Sequence, residues 1–211
     1  QRRIPTINNE IYHLTDNSGL YNKNLSYNIG SQLTKRKYLV FLDIDCLIDP
    51  KTLYSVSKHP NTIEKLKVSY IYPFESVIYL KDDIKSKFKT NPILENLIIS
   101  IKKSNDAGKI FNNSCGGCIM FDRDFFQSVN GFNPNFWGWG YEDSEFRDRL
   151  KILNKTSCRA LGKILYHLPH GKHYFQRDKQ DRDAKKNKDE YNKVIRMNEQ
   201  QCLEYMKTWN L

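Results

Sequence analysis

The 211-residue chain has no long apolar run. Its longest apolar stretches, "YLVFLDI" and "ILENLIISI", are of strand and helix length, well short of the roughly 18 to 20 residues a membrane span requires. The first ten residues, "QRRIPTINNE", hold neither an initiator Met nor an apolar signal core, so the sequence reads as a domain excised from a longer parent. Cysteine is scarce and odd in number: Cys46, Cys115, Cys118, Cys158 and Cys202 are scattered. That argues against a disulfide framework and for a reducing compartment. Cys115-Gly-Gly-Cys118 has the spacing of half a zinc site, but no second pair completes it. Repeats and low-complexity linkers are also missing, so one domain over residues 1–211 is expected.

What is present is a basic chain with a sizeable core. Hydrophobic residues make up 39% and aromatics 13%, enough for packing rather than disorder. Lys and Arg outnumber Asp and Glu by 34 to 24, a net charge of +10. Two readings fit: a solvated Lys-rich surface, or attraction to phosphate, as on a nucleotide or an anionic membrane face. Acids are interspersed among the bases of "GKHYFQRDKQDRDAKKNK", and no nucleic-acid motif accompanies them. Nucleic acid is therefore not expected as a partner.

The patterning alternates strands with helices. "KYLVFLDI" (37–44) reads as a buried strand, and "DPKTLYSVSKH" as a helix with Asp49 as N-cap and Pro50 in its first turn. "KLKVSYIYP" is a strand stopped by Pro73, residues 76–103 are mixed and mostly helical, and "GGCIMFD" is a strand. "DRDFFQSVNGF" is a short helix closed by Gly131. From Glu142 a helix carries Phe146, Leu150 and Leu153 on one face. "RALGKILYHL" reads as one strand, and a polar helix follows Asp183. The expected fold is α/β around a mainly parallel central sheet.

Three stretches carry chemistry. "FLDIDC" sets Asp43 and Asp45 two apart after an apolar strand; extended chain would face both carboxylates to one point. Such an edge suits a hard divalent cation that also binds phosphate oxygens. "LYHLPHGKH" offers His167, His170 and His173 just after a strand, and carboxylates with an imidazole favour Mn²⁺ over Mg²⁺. "FNPNFWGWGYEDSEFRDRL" places two of the three tryptophans directly before Glu142-Asp143. Flat rings beside carboxylates are one way to hold a sugar, while a core cluster beside an acidic helix start is the other reading.

Together these stretches resemble a known family. "CGGCIMFDRDFFQSVNGFNPNFWGWGYEDSEFRDRL", "YNKNLSYNIGSQLTKRKYLVFLDIDCLIDP" and "ILYHLPHGK" are similar, in order, to segments of the β-1,4-galactosyltransferases and related chondroitin-polymerase-type transferases. The resemblance implies a GT-A fold and inverting, metal-dependent transfer from a UDP-sugar donor to a glycan acceptor, with UDP-Gal or UDP-GalNAc as donor. Residues 1–75 would form the nucleotide-sugar part, and 110–211 the acceptor and metal-histidine part. Asp45 would ligate Mn²⁺ (or Mg²⁺), Asp43 would touch metal or ribose, and His167, then His170, would supply the imidazole. Tyr21 and Lys23 stand where the family contacts the nucleotide, and Gly116 and Gly117 line the donor site. Trp139, Gly140, Tyr141 and Glu142 would hold the acceptor, and Asp143 would be the general base. Two departures stand out: Ser144 replaces the third acid of the family motif, and Tyr141 its glycine. Fewer residues precede Asp43 than a complete donor half needs. The setting implied is bacterial surface-polysaccharide synthesis in the cytoplasm, at the inner membrane face. The rival readings are a non-catalytic carbohydrate-binding module and a haloacid-dehalogenase-type phosphatase built on "VFLDIDCLID".

Overall fold

The computed structural model describes residues 22–58, 68–90, 93–103, 107–169 and 182–209. In chain order the elements are α1 (Lys23–Leu33), β1 (Tyr38–Leu42), β2 (Cys46–Ile48), α2 (Pro50–Lys58), β3 (Tyr70–Tyr72) and β4 (Ser76–Leu80). Then come α3 (Asp82–Thr90), α4 (Leu94–Lys103), β5 (Gly108–Asn112), β6 (Cys118–Asp122) and α5 (Arg123–Ser128). The remainder are α6 (Glu142–Ile152), β7 (Ser157–Arg159), β8 (Ile164–His167), α7 (Arg182–Val194) and α8 (Glu199–Met206).

The strands form two four-stranded sheets, ordered β1-β6-β3-β7 and β2-β8-β4-β5. β6 is central in the first, and Cys118, Ile119, Met120 and Phe121 are all buried, as a continuous apolar run covered on both faces should be. Around it Phe41, Phe126, Phe132 and Phe146 form the aromatic heart of the core, with Phe132 and Phe146 centroids 4.4 Å apart. A smaller core of Ile78, Leu80, Ile84, Leu97, Ile101 and Tyr166 sits between the second sheet and helices α3 and α4.

The α/β class holds, but the expectation of a mainly parallel sheet does not. Among the described residues only β3–β7 and β4–β8 run parallel; β1–β6, β3–β6, β2–β8 and β4–β5 are antiparallel. None of these six pairs is the parallel pair of one strand–helix–strand unit: the parallel partners are remote in the chain, and β4 and β5, successive and joined by α3 and α4, pair antiparallel. "RALGKILYHL" is likewise two pieces. Leu161 and Gly162 make a turn, with Gly162 at φ 70°, between β7 in one sheet and β8 in the other. No helix among the described residues is long and apolar enough to cross a membrane.

Candidate active site

The site forms where the chain passes from one sheet to the other. β1 ends at Leu42, and the Asp43 amide donates to the Gly117 carbonyl (2.9 Å) while the Cys46 amide donates to that of Asp43 (2.9 Å). This tight turn carries the chain into β2, leaving Ile44 fully exposed. Asp43 and Asp45 are therefore not two positions of one extended strand, and their carboxylates separate to two neighbouring groups. Asp43 accepts from the Tyr27 hydroxyl (2.7 Å) and faces Lys23 Nζ at 3.6 Å. Asp45 faces His167 Nε2 at 3.6 Å across the β2–β8 pair.

The second group has the donor chemistry of a metal site. Ligand atoms of Asp45, Cys46 and His167 all lie within 4.8 Å of one another. His167 Nδ1 lies 3.0 Å from the Leu168 carbonyl. Donating there leaves Nε2 with its lone pair turned to Asp45, the tautomer a ligand requires. The ring is stacked on Tyr79 at 4.3 Å, which fixes its plane. Burial, reinforced by Asp43 and Asp45, pushes the Cys46 thiol up and keeps it protonated, so the carboxylate and imidazole are the fitting donors. Asp43, expected among the ligands, belongs to the first group. His170 and Tyr21 lie outside the described residues.

The first group is built by α1 and α6. Asn22 caps α1, its side chain accepting from the Leu25 amide at 2.8 Å. Asn22, Asn24 and Asn28 donate to the carbonyls of Pro134, Asn133 and Phe132 (2.7–2.8 Å), and Asn28 also accepts from the Phe132 amide at 2.9 Å. α1 is thereby bound to the segment leading into the Trp loop. Its first residue, Lys23, reaches Glu142 Oε1 at 3.0 Å, Asp143 Oδ1 at 3.1 Å and Asp43 Oδ2 at 3.6 Å. Burial alone would depress the Lys23 ammonium, but Asp143, Glu142 and Asp43 outweigh it and hold Lys23 charged, well above the usual lysine range. Desolvation raises Asp143 to about 7 against the opposing pull of Lys23, with Glu142 and Asp43 pushing the same way as burial. A carboxylate poised near neutrality can take a proton from a hydroxyl. Its side chain keeps 31% of its surface open, a route for a substrate.

The Gly-Gly segment makes room for this acid. A Cβ on Gly116 would lie 2.3 Å from Asp143 Oδ2, and one on Gly117, at φ 91°, would lie 2.6 Å from Leu165 and 3.1 Å from Cys46 Sγ. Both glycines, read as donor contacts, are demanded first by the protein's own packing.

The Trp loop turns sharply, with Gly138 at φ 68° and Gly140 at φ 109°. Trp137, Trp139 and Tyr141 each keep more than a third of their surface exposed. The Gly140 amide donates to Glu142 Oε2 at 2.8 Å, fixing that carboxylate at the helix start. Buried Asn187 of α7 accepts from the Trp137 amide (3.2 Å) and donates to the Trp137 (2.8 Å) and Trp139 (3.4 Å) carbonyls. The structure thus brings Lys23, Asp43, Glu142 and Asp143 together, sets Asp45 and His167 beside them, and places Gly140, Tyr141 and Trp139 on the adjoining loop. Sequence reasoning missed Tyr27, Tyr79, Asn187 and the α1 asparagines. Of these only "YNKNLSYN", with three asparagines in eight residues, carried a visible signal.

Residues 102–172 match the family model described as the N-terminal domain of galactosyltransferase. Among curated proteins, the chain is 39% identical over 49 residues to β-1,4-galactosyltransferase 4 of Homo sapiens, covering 23% of this chain and 14% of that one. It is 44% identical over 47 residues to β-1,4-galactosyltransferase 7 of Mus musculus, 22% and 14% of the two chains. It is 34% identical over 61 residues to a β-N-acetyl-D-glucosaminide β-1,4-N-acetylglucosaminyl-transferase of Lymnaea stagnalis, 26% and 12%. The matches therefore span about one seventh or less of these relatives' length. Among solved structures, the catalytic domain of Drosophila β1,4-galactosyltransferase 7 in complex with xylobiose aligns with a TM-score of 0.46 at 19% identity, over 82% of this chain and 60% of that one. A mutant of that enzyme with manganese, UDP-Gal and xylobiose aligns with a TM-score of 0.44 at 19% identity, over 77% and 57%. The relatives that share these short stretches with the chain are glycosyltransferases.

Proposed function

We propose that the chain is a metal-dependent, inverting glycosyltransferase of the GT-A type, moving a hexose or N-acetylhexosamine from a UDP-sugar to a glycan hydroxyl. UDP-Gal and UDP-GalNAc are the donors favoured. The observation that carries the reading is Lys23. It joins Asp43, at the end of β1, to Glu142 and Asp143, at the start of α6, beside the Asp45–His167 pair. Four acids and an imidazole from three distant segments are gathered in two neighbouring groups. The galactosyltransferase match over residues 102–172 supports the same chemistry.

The roles follow from position. Asp45 and His167 would hold a divalent cation, Mn²⁺ by the chemistry of the donors. When bound, that ion supplies Lewis-acid stabilisation to the leaving diphosphate. Lys23, a compact charge on a flexible stem, turns from its carboxylates to the donor phosphates. Glu142 and Trp139 hold the acceptor sugar, the ring covering its C–H face and the carboxylate accepting its hydroxyl protons. Asp143 takes the proton as the acceptor oxygen bonds to the anomeric carbon. The bond from that carbon to the diphosphate breaks and UDP leaves. We place the reaction in bacterial surface-glycan assembly, on the cytoplasmic face of the membrane, where the basic surface meets anionic lipid.

The test is UDP release from a panel of UDP-sugars, with and without Mn²⁺, for wild type and Asp143→Asn. Release requires the metal, and the variant loses about 10² to 10⁴-fold, the worth of a positioned base. Metal-independent release, or a variant as active as wild type, overturns the reading. Phosphatase activity lost in Asp43→Asn and kept in Asp143→Asn would point to the dehalogenase class instead.

A further inference from the structure

Four non-glycine residues among those described have positive φ: Asn113, Asn130, Asn154 and Tyr141. Asparagine tolerates the left-handed region through its own side-chain hydrogen bonding, whereas a bulky tyrosine there is strained. Tyr141, at φ 69°, is the residue that opens α6, and its carbonyl accepts the first helical bond from the Glu145 amide at 2.8 Å. A glycine would adopt this conformation without strain, and the chain around Gly140 is open enough that an added Cβ would meet nothing within 4 Å. Strain that persists where a simpler residue would serve points to what the side chain does.

Tyr141 is 39% exposed, and its ring packs against that of Tyr191 of α7, with centroids 5.4 Å apart and planes 32° apart. Tyr191 is itself immobilised. Its hydroxyl donates to Asp148 Oδ2 at 2.9 Å, and Asp148 is gripped by both Arg147 (2.7 and 2.8 Å) and Lys151 (3.0 Å). The result is a rigid, doubly backed aromatic face one residue from Glu142 and two from Asp143. Trp139 is exposed on the same loop. Rigid rings with few rotatable bonds bind apolar faces at small entropic cost.

We propose that Tyr141 and Tyr191 form a platform for a second sugar residue of the acceptor, beyond the one whose hydroxyl meets Asp143. This rests on the acceptor-site reading above. It makes the enzyme one that prefers an oligosaccharide chain end over a single sugar. The ring of the second sugar lies on the outer face of Tyr141, while Tyr191 holds that face in place from behind. Tyr141 is then a specificity residue in direct contact with substrate, and Tyr191 a positioning residue that acts through it.

The experiment uses two acceptor pairs, xylose with xylobiose and N-acetylglucosamine with N,N′-diacetylchitobiose, each reducing end capped as the methyl glycoside. Kd is read by saturation-transfer NMR with Mn²⁺ and UDP present, and kcat/KM by UDP release. Wild type prefers the disaccharide in at least one pair. That preference falls about tenfold in Tyr141→Asn and Tyr191→Ala, the loss of one aromatic contact, and survives in Tyr141→Phe. Tyr141→Asn, freed of strain, melts no lower than wild type, whereas a merely structural ring would lower Tm when removed. A disaccharide preference within twofold of unity in both wild-type pairs, or one unchanged in Tyr141→Asn, overturns the platform. If disaccharides bind preferentially but no UDP-sugar is turned over, the transferase reading fails and the platform stands. Turnover without preference gives the reverse.

Discussion

At the scale of single residues, the arrangement turns on one ammonium among three carboxylates. Lys23 offsets a cluster that would otherwise repel itself, and it opposes the desolvation that lifts Asp143 to about 7. A base works only when ionised, so kcat/KM should rise with pH through about 7 and level off above it. Lys23→Met removes the one interaction that lowers Asp143, so the acidic limb moves to higher pH and the loss of activity is greatest below neutrality. A pH profile of UDP release checks this; a limb that stays in place, or moves to lower pH, refutes the coupling. Stability runs with the opposite sign. A carboxyl raised in the folded state binds its proton more tightly there than in the unfolded chain. Its contribution is therefore fully present below the unfolded carboxyl range and is lost as pH rises through about 7. The residues gathered at the proposed site were legible one by one, Asp143, Glu142, Lys23, Asp45 and His167 all from their motifs. Their grouping was not. The spacing of Asp43 and Asp45 suggested one shared focus, but residues 44 and 45 form a turn rather than strand, which sends the two carboxylates to different partners.

At the scale of elements, α1 shows why part of the fold was hidden. Its buried face holds Asn24, Asn28 and Ser31 rather than an apolar stripe, so no hydrophobic period announces a helix. What holds it is hydrogen bonding to the backbone of residues 132–134, which depends on partners more than 100 residues away. Asn28→Ala should therefore cost about 2 to 4 kcal/mol in denaturant unfolding, since it strands both the amide and the carbonyl of Phe132 in the interior. A cost below about 1 kcal/mol would mean that α1 is held chiefly by something else. Strand β5 escaped notice because four of its five residues are exposed and show no alternation. α6, by contrast, was readable from its first turn, with Phe146, Leu150 and Leu153 buried as the spacing requires. Its interior adds a device that spacing cannot disclose. Fully buried Arg149 pairs with Glu145 at 2.8 Å and donates to the carbonyls of Val129 (3.0 Å) and Gly131 (2.7 Å), binding the helix to the chain just before the Trp loop.

At the scale of the molecule, two mixed sheets adjoin through a four-residue turn, and the acids sit on that turn. Asp45 lies on that turn and faces His167, the last residue of β8 in the second sheet, while Asp43 faces Lys23 of α1. A cation bound by Asp45 and His167 therefore braces the seam, and Mn²⁺ should raise Tm in wild type, with the rise abolished in Asp45→Ala and in His167→Ala. EDTA should restore the lower Tm; an equal rise in the variants would place the ion elsewhere. The sequence pattern announced alternating strands and helices but not the antiparallel pairings, because sheet order here is decided by contacts between segments remote in the chain. The Asn187 side chain is one such contact. By bonding the backbone of Trp137 and Trp139 rather than their rings, it sets the path of the loop while leaving the exposed surface of those rings clear. Control of the loop thus lies in a helix that contributes nothing to the recognisable motif. Acceptor preference could drift through changes in α7 while "WGWGYED" stays letter for letter the same, so chains sharing that motif need not share a substrate.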